Sequence, residues 1–288
     1  MNELSQIILT VAYTSSLIGA VMAIMIRLGM RRGQQAPPSP PSGRVQVWFY
    51  RRGDLICAVM LFLLFTGLFA LTLLVPNVNA SQISALDLIL GVGFQLVITL
   101  GLIAFALRNT HPNQWLGLRW KGWPWVFVIA PATVGAMWVL MLVMHVLGYV
   151  DWMESLGAEP EQDAVILLKT TKDPVILMLM IFTAVIVAPL WEEVVFRGYL
   201  HPVLKKYGGV WTGAIFSSLL FAAVHNSMAA MLPLFVLAML MVWLYERTGS
   251  IWTPIAIHAC FNAAAVVGTI AARTHGDLQA IIPAWLLL

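Results

Sequence analysis

Apolar runs separated by short polar breaks fill most of this chain. They fall near 6–26, 54–75, 84–107, 124–147, 174–200, 209–230, 231–246 and 251–272. Crossing ~30 Å of hydrocarbon takes about 20 helical residues at ~1.5 Å each, and most of the runs reach that length. The pattern predicts an all-α, polytopic membrane protein with about eight transmembrane helices. The break between the sixth and seventh runs is weakly marked, which leaves seven spans open. The first run has neither a basic leading segment nor an obvious cleavage site, and reads as a retained helix.

Composition agrees. Of 288 residues, 60% are hydrophobic and 10% charged, against about 25% charged in soluble domains. Twelve Trp, many near run ends, suit an interfacial aromatic belt. Cys57 and Cys260 lie inside apolar runs and lack metal-ligand spacing, so they read as small hydrophobes. The expected surroundings are lipid and a protein or peptide partner, with no nucleic acid.

Loop charge gives an orientation. The segment 27–52 carries six Arg and no acid. Arg108, Arg119 and Lys121 mark a second basic segment, Arg197, Lys205 and Lys206 a third, and Arg247 a fourth. The segment 151–173 is acidic, with Asp151, Glu154, Glu159, Glu161, Asp163 and Asp173. The positive-inside rule then puts both termini outside the cytoplasm, with the cell membrane as the expected location. The organisation reads as an N-terminal helix and Pro/Arg-rich linker (1–52), an N-terminal helical half (53–173), a core (174–272) and a tail (273–288). The sequon at Asn79-Ala80-Ser81 is short enough to arise by chance.

Ionisable groups in apolar runs are costly, and so are candidates for function. Glu192 and Glu193 close a run that carries no charge from Pro174 to Leu190. Glu193 and Arg197 are four residues apart and share a helix face. That predicts a structural pair, with Glu192 pointing elsewhere and free for chemistry. Phe221 and His225 share a face of the next run, and His258 and Asn262 a face of the last. Each element alone has a bland reading: solvated interfacial acids, a packing histidine, hydrogen-bonded glue between helices. Together, a carboxylate and two imidazoles on successive apolar segments suit the holding and activation of a water. His145, Asp54 and Asp87 lie near run ends without companions and read as interfacial.

The ordered set EExxxR, FxxxH and HxxxN resembles the CPBP family, also called the ABI or CaaX-protease and bacteriocin-processing family, which includes Rce1-type endopeptidases. The resemblance covers roughly 174–270, with Gly249-Ser250-Ile251-Trp252-Thr253-Pro254 in the family's style. It implies an intramembrane endopeptidase acting on a prenylated CaaX-type protein, a peptide precursor or another membrane protein. Glu192 would activate water and His225 would assist. His258 and Asn262 would bind the oxyanion, while Glu193, Arg197 and Phe221 would support. Glu192, His225 and His258 also resemble a His₂Glu zinc set. The cofactor is therefore either none or a divalent metal such as zinc.

The reading carries a geometric demand. A fifth helix ending at Leu190 would leave Glu192 at the surface and His225 ~24 Å deeper. A long, tilted helix over about 174–206 would bring them together, and a separation above ~10 Å would sink the catalytic reading. The rivals are a non-catalytic immunity or binding protein of the same fold, and an ion-coupled transporter, for which neither repeats nor matched Gly/Pro breaks are present.

Overall fold

The computed structural model describes residues 43–74, 84–158, 162–225 and 227–274. The first apolar run, the linker up to residue 42, the Asn79 sequon, Glu159, Glu161 and the tail beyond 274 lie outside them. Every regular element among the described residues is helical. In chain order they are α1 (Arg52–Leu74), α2 (Ala85–Ala106), the short α3 (Pro112–Leu116), α4 (Val126–Val146) with a 3₁₀ turn at Trp123–Trp125, α5 (Tyr149–Ser155), α6 (Asp163–Thr170), the composite α7 (Pro174–Gly208), α8 (Val210–Ala223), α9 (Met228–Thr248) and α10 (Trp252–Thr274).

Five of these segments are long and apolar enough to cross a bilayer: Ala85–Ala106, Trp123–Val146, α7, α9 and α10. The expected eight is not reached among the described residues. Their outward faces are apolar. Val97, Phe127, Val139 and Met178 are exposed, which makes sense when the surrounding solvent is hydrocarbon. Trp48, Trp123, Trp125 and Trp252 are exposed near helix ends, where an indole meets the headgroups. This is an integral membrane protein.

The expected long fifth helix is present. Asp173 caps α7 by accepting from the Val175 and Ile176 amides at 2.7 and 3.4 Å, and Pro174 sits where no amide donor is needed. The segment then runs for 35 residues. It is not uniform: Thr183–Val187 and Val194–Leu200 are π-helical. A proline follows each, Pro189 and Pro202. A proline within a helix has no N–H and crowds the preceding turn, which favours the wider π turn.

Gly209, at φ 90°, reverses the chain between α7 and α8. A Cβ on Gly213 would lie 2.6 Å from the His201 carbonyl oxygen, so the two arms pack backbone to backbone. Glu192 lies 17 residues before Gly209 and His225 16 after it. Equal arms of about 25 Å return both side chains to one depth.

The sixth and seventh runs divide differently from the expected 209–230 and 231–246. α8 has 14 residues, about 21 Å, and does not span. Its end leaves His225 in a break, not inside a helix. The signal for the break is Ser227, whose hydroxyl accepts from the Ala230 amide at 3.1 Å and caps α9.

The basic segments gather at one end. A strap, 43–50, lies across the helix termini with Val45, Val47 and Phe49 buried and Arg44, Gln46 and Trp48 exposed. The Arg44 amide donates to the Glu246 carbonyl at 3.0 Å, and the Ile251 amide to that of Leu116 at 2.9 Å. At the other end Tyr149 donates to the Ala229 carbonyl at 3.2 Å, and Arg273 to that of Leu168 at 3.3 Å.

Candidate active site

Glu192 and Glu193 occupy one α-helical segment, Ala188–Glu193, between the two π stretches. Both are buried, and they diverge as their spacing predicts. Glu193, fully buried, accepts from Arg197 Nη1 at 2.9 Å and from His258 Nδ1 at 2.8 Å, both on Oε1. Arg197 is also fully buried, with its guanidinium 4.2 Å from the Phe221 ring centroid. The cation therefore has a carboxylate on one side and an aromatic face on the other. Arg197 does not act as a loop charge, which corrects its place in the third basic segment.

Glu192 makes none of these bonds. Its Oε2 is buried without a hydrogen-bond partner. It lies 3.9 Å from His225 Nε2 and 3.9 Å from His258 Nε2. The demand that Glu192 reach the histidines is met at both.

The far nitrogen of each ring fixes what faces Glu192. His225 Nδ1 lies 2.7 Å from the Phe221 carbonyl oxygen, which can only accept, so Nδ1 carries hydrogen. His258 Nδ1 likewise donates to the Glu193 carboxylate. In the neutral rings both Nε2 atoms are then acceptors turned toward Glu192. Phe221 packs against both imidazoles, with centroids 4.8 Å from His225 and 5.6 Å from His258. Phe196 stands edge-on behind it at 5.3 Å.

Asn262 comes to the same region but is engaged. Its Nδ2 donates to the Ala184 carbonyl at 2.8 Å, in the first π stretch. One amide hydrogen and Oδ1 are not used in that bond.

The alternative of a His₂Glu metal site finds no support in the spacing. Two donors on a tetrahedral zinc at ~2.1 Å are roughly 3.4 Å apart. The oxygen–nitrogen separations here are 3.9 Å, and no three His, Cys, Asp or Glu side chains among the described residues are arranged to hold a metal ion.

Sequence reasoning missed several buried polar groups. Glu246 joins Lys205 Nζ at 2.7 Å and His201 Nε2 at 2.7 Å, while Lys205 also donates to the Val45 carbonyl at 3.0 Å. Lys205 is thus a buried clasp residue and not a free loop charge. Asp54 is buried and accepts from Tyr199 at 3.2 Å, so it does have a companion. Tyr50 and Trp115 both donate to the Gly198 carbonyl, at 2.8 and 2.7 Å. Regular spacing could have flagged Lys205 and His201 as one helix face. Nothing local points to Tyr50 or Trp115.

Comparison with known proteins covers the same part of the chain. Residues 174–264 match the family described as "Type II CAAX prenyl endopeptidase Rce1-like". The chain is 32% identical over 146 residues to an "Uncharacterized 24.3 kDa protein" of Escherichia coli, covering 49% of this chain and 61% of that one. It is 32% identical over 89 residues to the "Putative membrane peptidase YdiL" of Bacillus subtilis (strain 168), covering 31% and 36%. The chain thus spans less than two thirds of either relative. No solved structure matches. The resemblance carried by the three motifs is borne out to this extent: residues 174–264 match the Rce1-like family model.

Proposed function

We propose that this chain, Rce1-like over residues 174–264, is an intramembrane endopeptidase that hydrolyses a peptide bond with a water activated by Glu192. The observation that carries the reading is the convergence of Glu192 Oε2 and two imidazole nitrogens, each 3.9 Å away. That separation is too long for a direct hydrogen bond and suits one water bonded to several of the three.

The chemistry follows from the side chains. Glu192 takes a proton from the water as its oxygen bonds to the scissile carbonyl carbon, and the carbonyl electron pair moves onto oxygen. When the tetrahedral intermediate collapses, the carbonyl re-forms and the C–N bond breaks. Glu192 then returns the proton to the leaving amine. His225 orients the water through Nε2, its ring fixed by the Phe221 carbonyl. Glu193 holds the His258 ring. Asn262 has an amide hydrogen to offer the oxyanion, and His258 can offer Nε2–H when it carries a second proton.

His258 lies six residues after Trp252, about 9 Å along the helix. The scissile bond would therefore sit about that far in from the Trp252 end of α10. A peptide anchored in the bilayer by a lipid or an apolar helix fits that depth and the apolar surroundings. The family's description names CAAX prenyl endopeptidases, and a prenylated C-terminus is one such substrate.

The test compares Glu192→Ala with wild type at matched membrane levels, by mapping protein termini in the same cells. Termini dependent on Glu192 support the reading. Identical termini with a retained phenotype would favour a non-catalytic binding protein.

A further inference from the structure

Each π stretch of α7 holds a carbonyl that receives a side-chain donor from a distant element. Pro189 stands five residues after Ala184, and Pro202 four residues after Gly198. Neither proline can donate. A buried carbonyl without a donor is costly, and in both cases distant side chains supply one. Asn262 caps Ala184 at 2.8 Å. Tyr50 Oη and Trp115 Nε1 together cap Gly198 at 2.8 and 2.7 Å, and Trp115 also donates to the Tyr50 oxygen at 3.0 Å.

The second cap is built for its place. Gly198 has no side chain because one would meet Leu116 Cδ2 at 2.8 Å, so α3 can bring Trp115 against the α7 backbone. Tyr50 is the last residue of the strap, whose carbonyl receives Lys206 Nζ. Tyr50 and Trp115 are buried. Both lie outside residues 174–264.

We infer that Tyr50 and Trp115 are positioning residues for the Glu192 site, jointly holding the Gly198 carbonyl beside Pro202 and so fixing the π register of Val194–Leu200. The connection is short. Gly198 adjoins Arg197, Arg197 binds Glu193, and the same Glu193 oxygen receives His258 Nδ1. Slippage of the π turn rotates Arg197 away from Glu193. The carboxylate that fixes the His258 tautomer is then left without its buried counter-charge, and its hold on the ring changes. Because the two donors share one acceptor, either alone suffices and the loss of both does not.

The test uses full-length protein labelled with ¹⁵N-histidine in lipid nanodiscs, with the His258 signals assigned through His258→Gln. Wild type should show His258 protonated at Nδ1 and bare at Nε2. Tyr50→Phe and Trp115→Phe each remove a donor and keep the ring. Each should leave the tautomer ratio within about twofold of wild type, and the double variant should shift it about tenfold, as expected for orphaning a buried acceptor. Glu192-dependent termini, measured in parallel, should fall by a similar factor in the double variant alone.

An unshifted His258 signature in the double variant would overturn the inference, as would full shifts in both single variants. This inference rests on the protease reading only for its second arm. A shifted signature where wild type yields no Glu192-dependent termini would uphold the positioning and sink the protease. Should the double variant fail to accumulate, the Gly198 carbonyl ¹³C shift decides: it should move in each single variant, and no movement in either overturns the inference.

Discussion

At the scale of single residues, the two adjacent glutamates should behave in opposite ways. Glu192 Oε2 satisfies no donor, so Glu192→Gln orphans nothing. Because it removes an unpaired buried charge, it should not lower the thermal midpoint in nanodiscs. Its turnover should drop by at least about 10²-fold, the lower range for a lost general base. Glu193→Ala would leave Arg197 as an uncompensated buried cation and remove the acceptor for His258. Breaking such a pair costs about 3–5 kcal/mol, and this variant should show that loss in the same unfolding assay. Their positions in EExxxR announce this division, because i to i+4 spacing gives Glu193 the arginine. The histidine tautomers are not legible in the same way, since they depend on a carbonyl of α8 and a carboxylate of α7.

At the scale of elements, α7 carries the site because it is broken twice without being interrupted. Asn262 illustrates what this changes. The HxxxN spacing makes it a companion of His258, and the resemblance makes it an oxyanion ligand. In the structure its amide also serves the carbonyl that Pro189 leaves without a donor. Asn262→Asp should therefore be worse than Asn262→Ala in thermal unfolding, because it sets a carboxylate against a carbonyl oxygen. Equal midpoints for the two would argue against the capping role. The apolar runs and the length of α7 were readable from hydropathy and from the depth conflict between Glu192 and His225. The end of α8 is missed when His225 is read as part of a helix, although the polar run His225-Asn226-Ser227 interrupts the apolar pattern there. The π stretches were hidden for a related reason: Pro189 and Pro202 announce a missing donor, but not what replaces it.

At the scale of the molecule, the strap, α3 and the ends of α7 and α9 form one buttress at the basic end. The Lys205–Glu246–His201 clasp is its polar centre, and Lys205→Met should cost about 3–5 kcal/mol by stranding Glu246, measured by unfolding in nanodiscs. The grouping of basic segments leads to a prediction of sidedness. In a background without Cys57 and Cys260, cysteines at Gln46 and at Glu154 should react with an impermeant thiol reagent from opposite faces of the membrane. Loop charge alone indicated this division. It could not indicate that Lys205 and Arg197 are internal, because a charge count does not distinguish a solvated lysine from one closed over a glutamate.

The central claim is that Glu192 activates a water for peptide hydrolysis. Its most direct test is the comparison of new protein termini in cells carrying wild type or Glu192→Ala at equal membrane abundance. The account predicts a set of termini, in membrane-anchored proteins or peptides and close to the bilayer surface, that appears only with wild type. The same termini in both, with each variant folded and inserted, would contradict it.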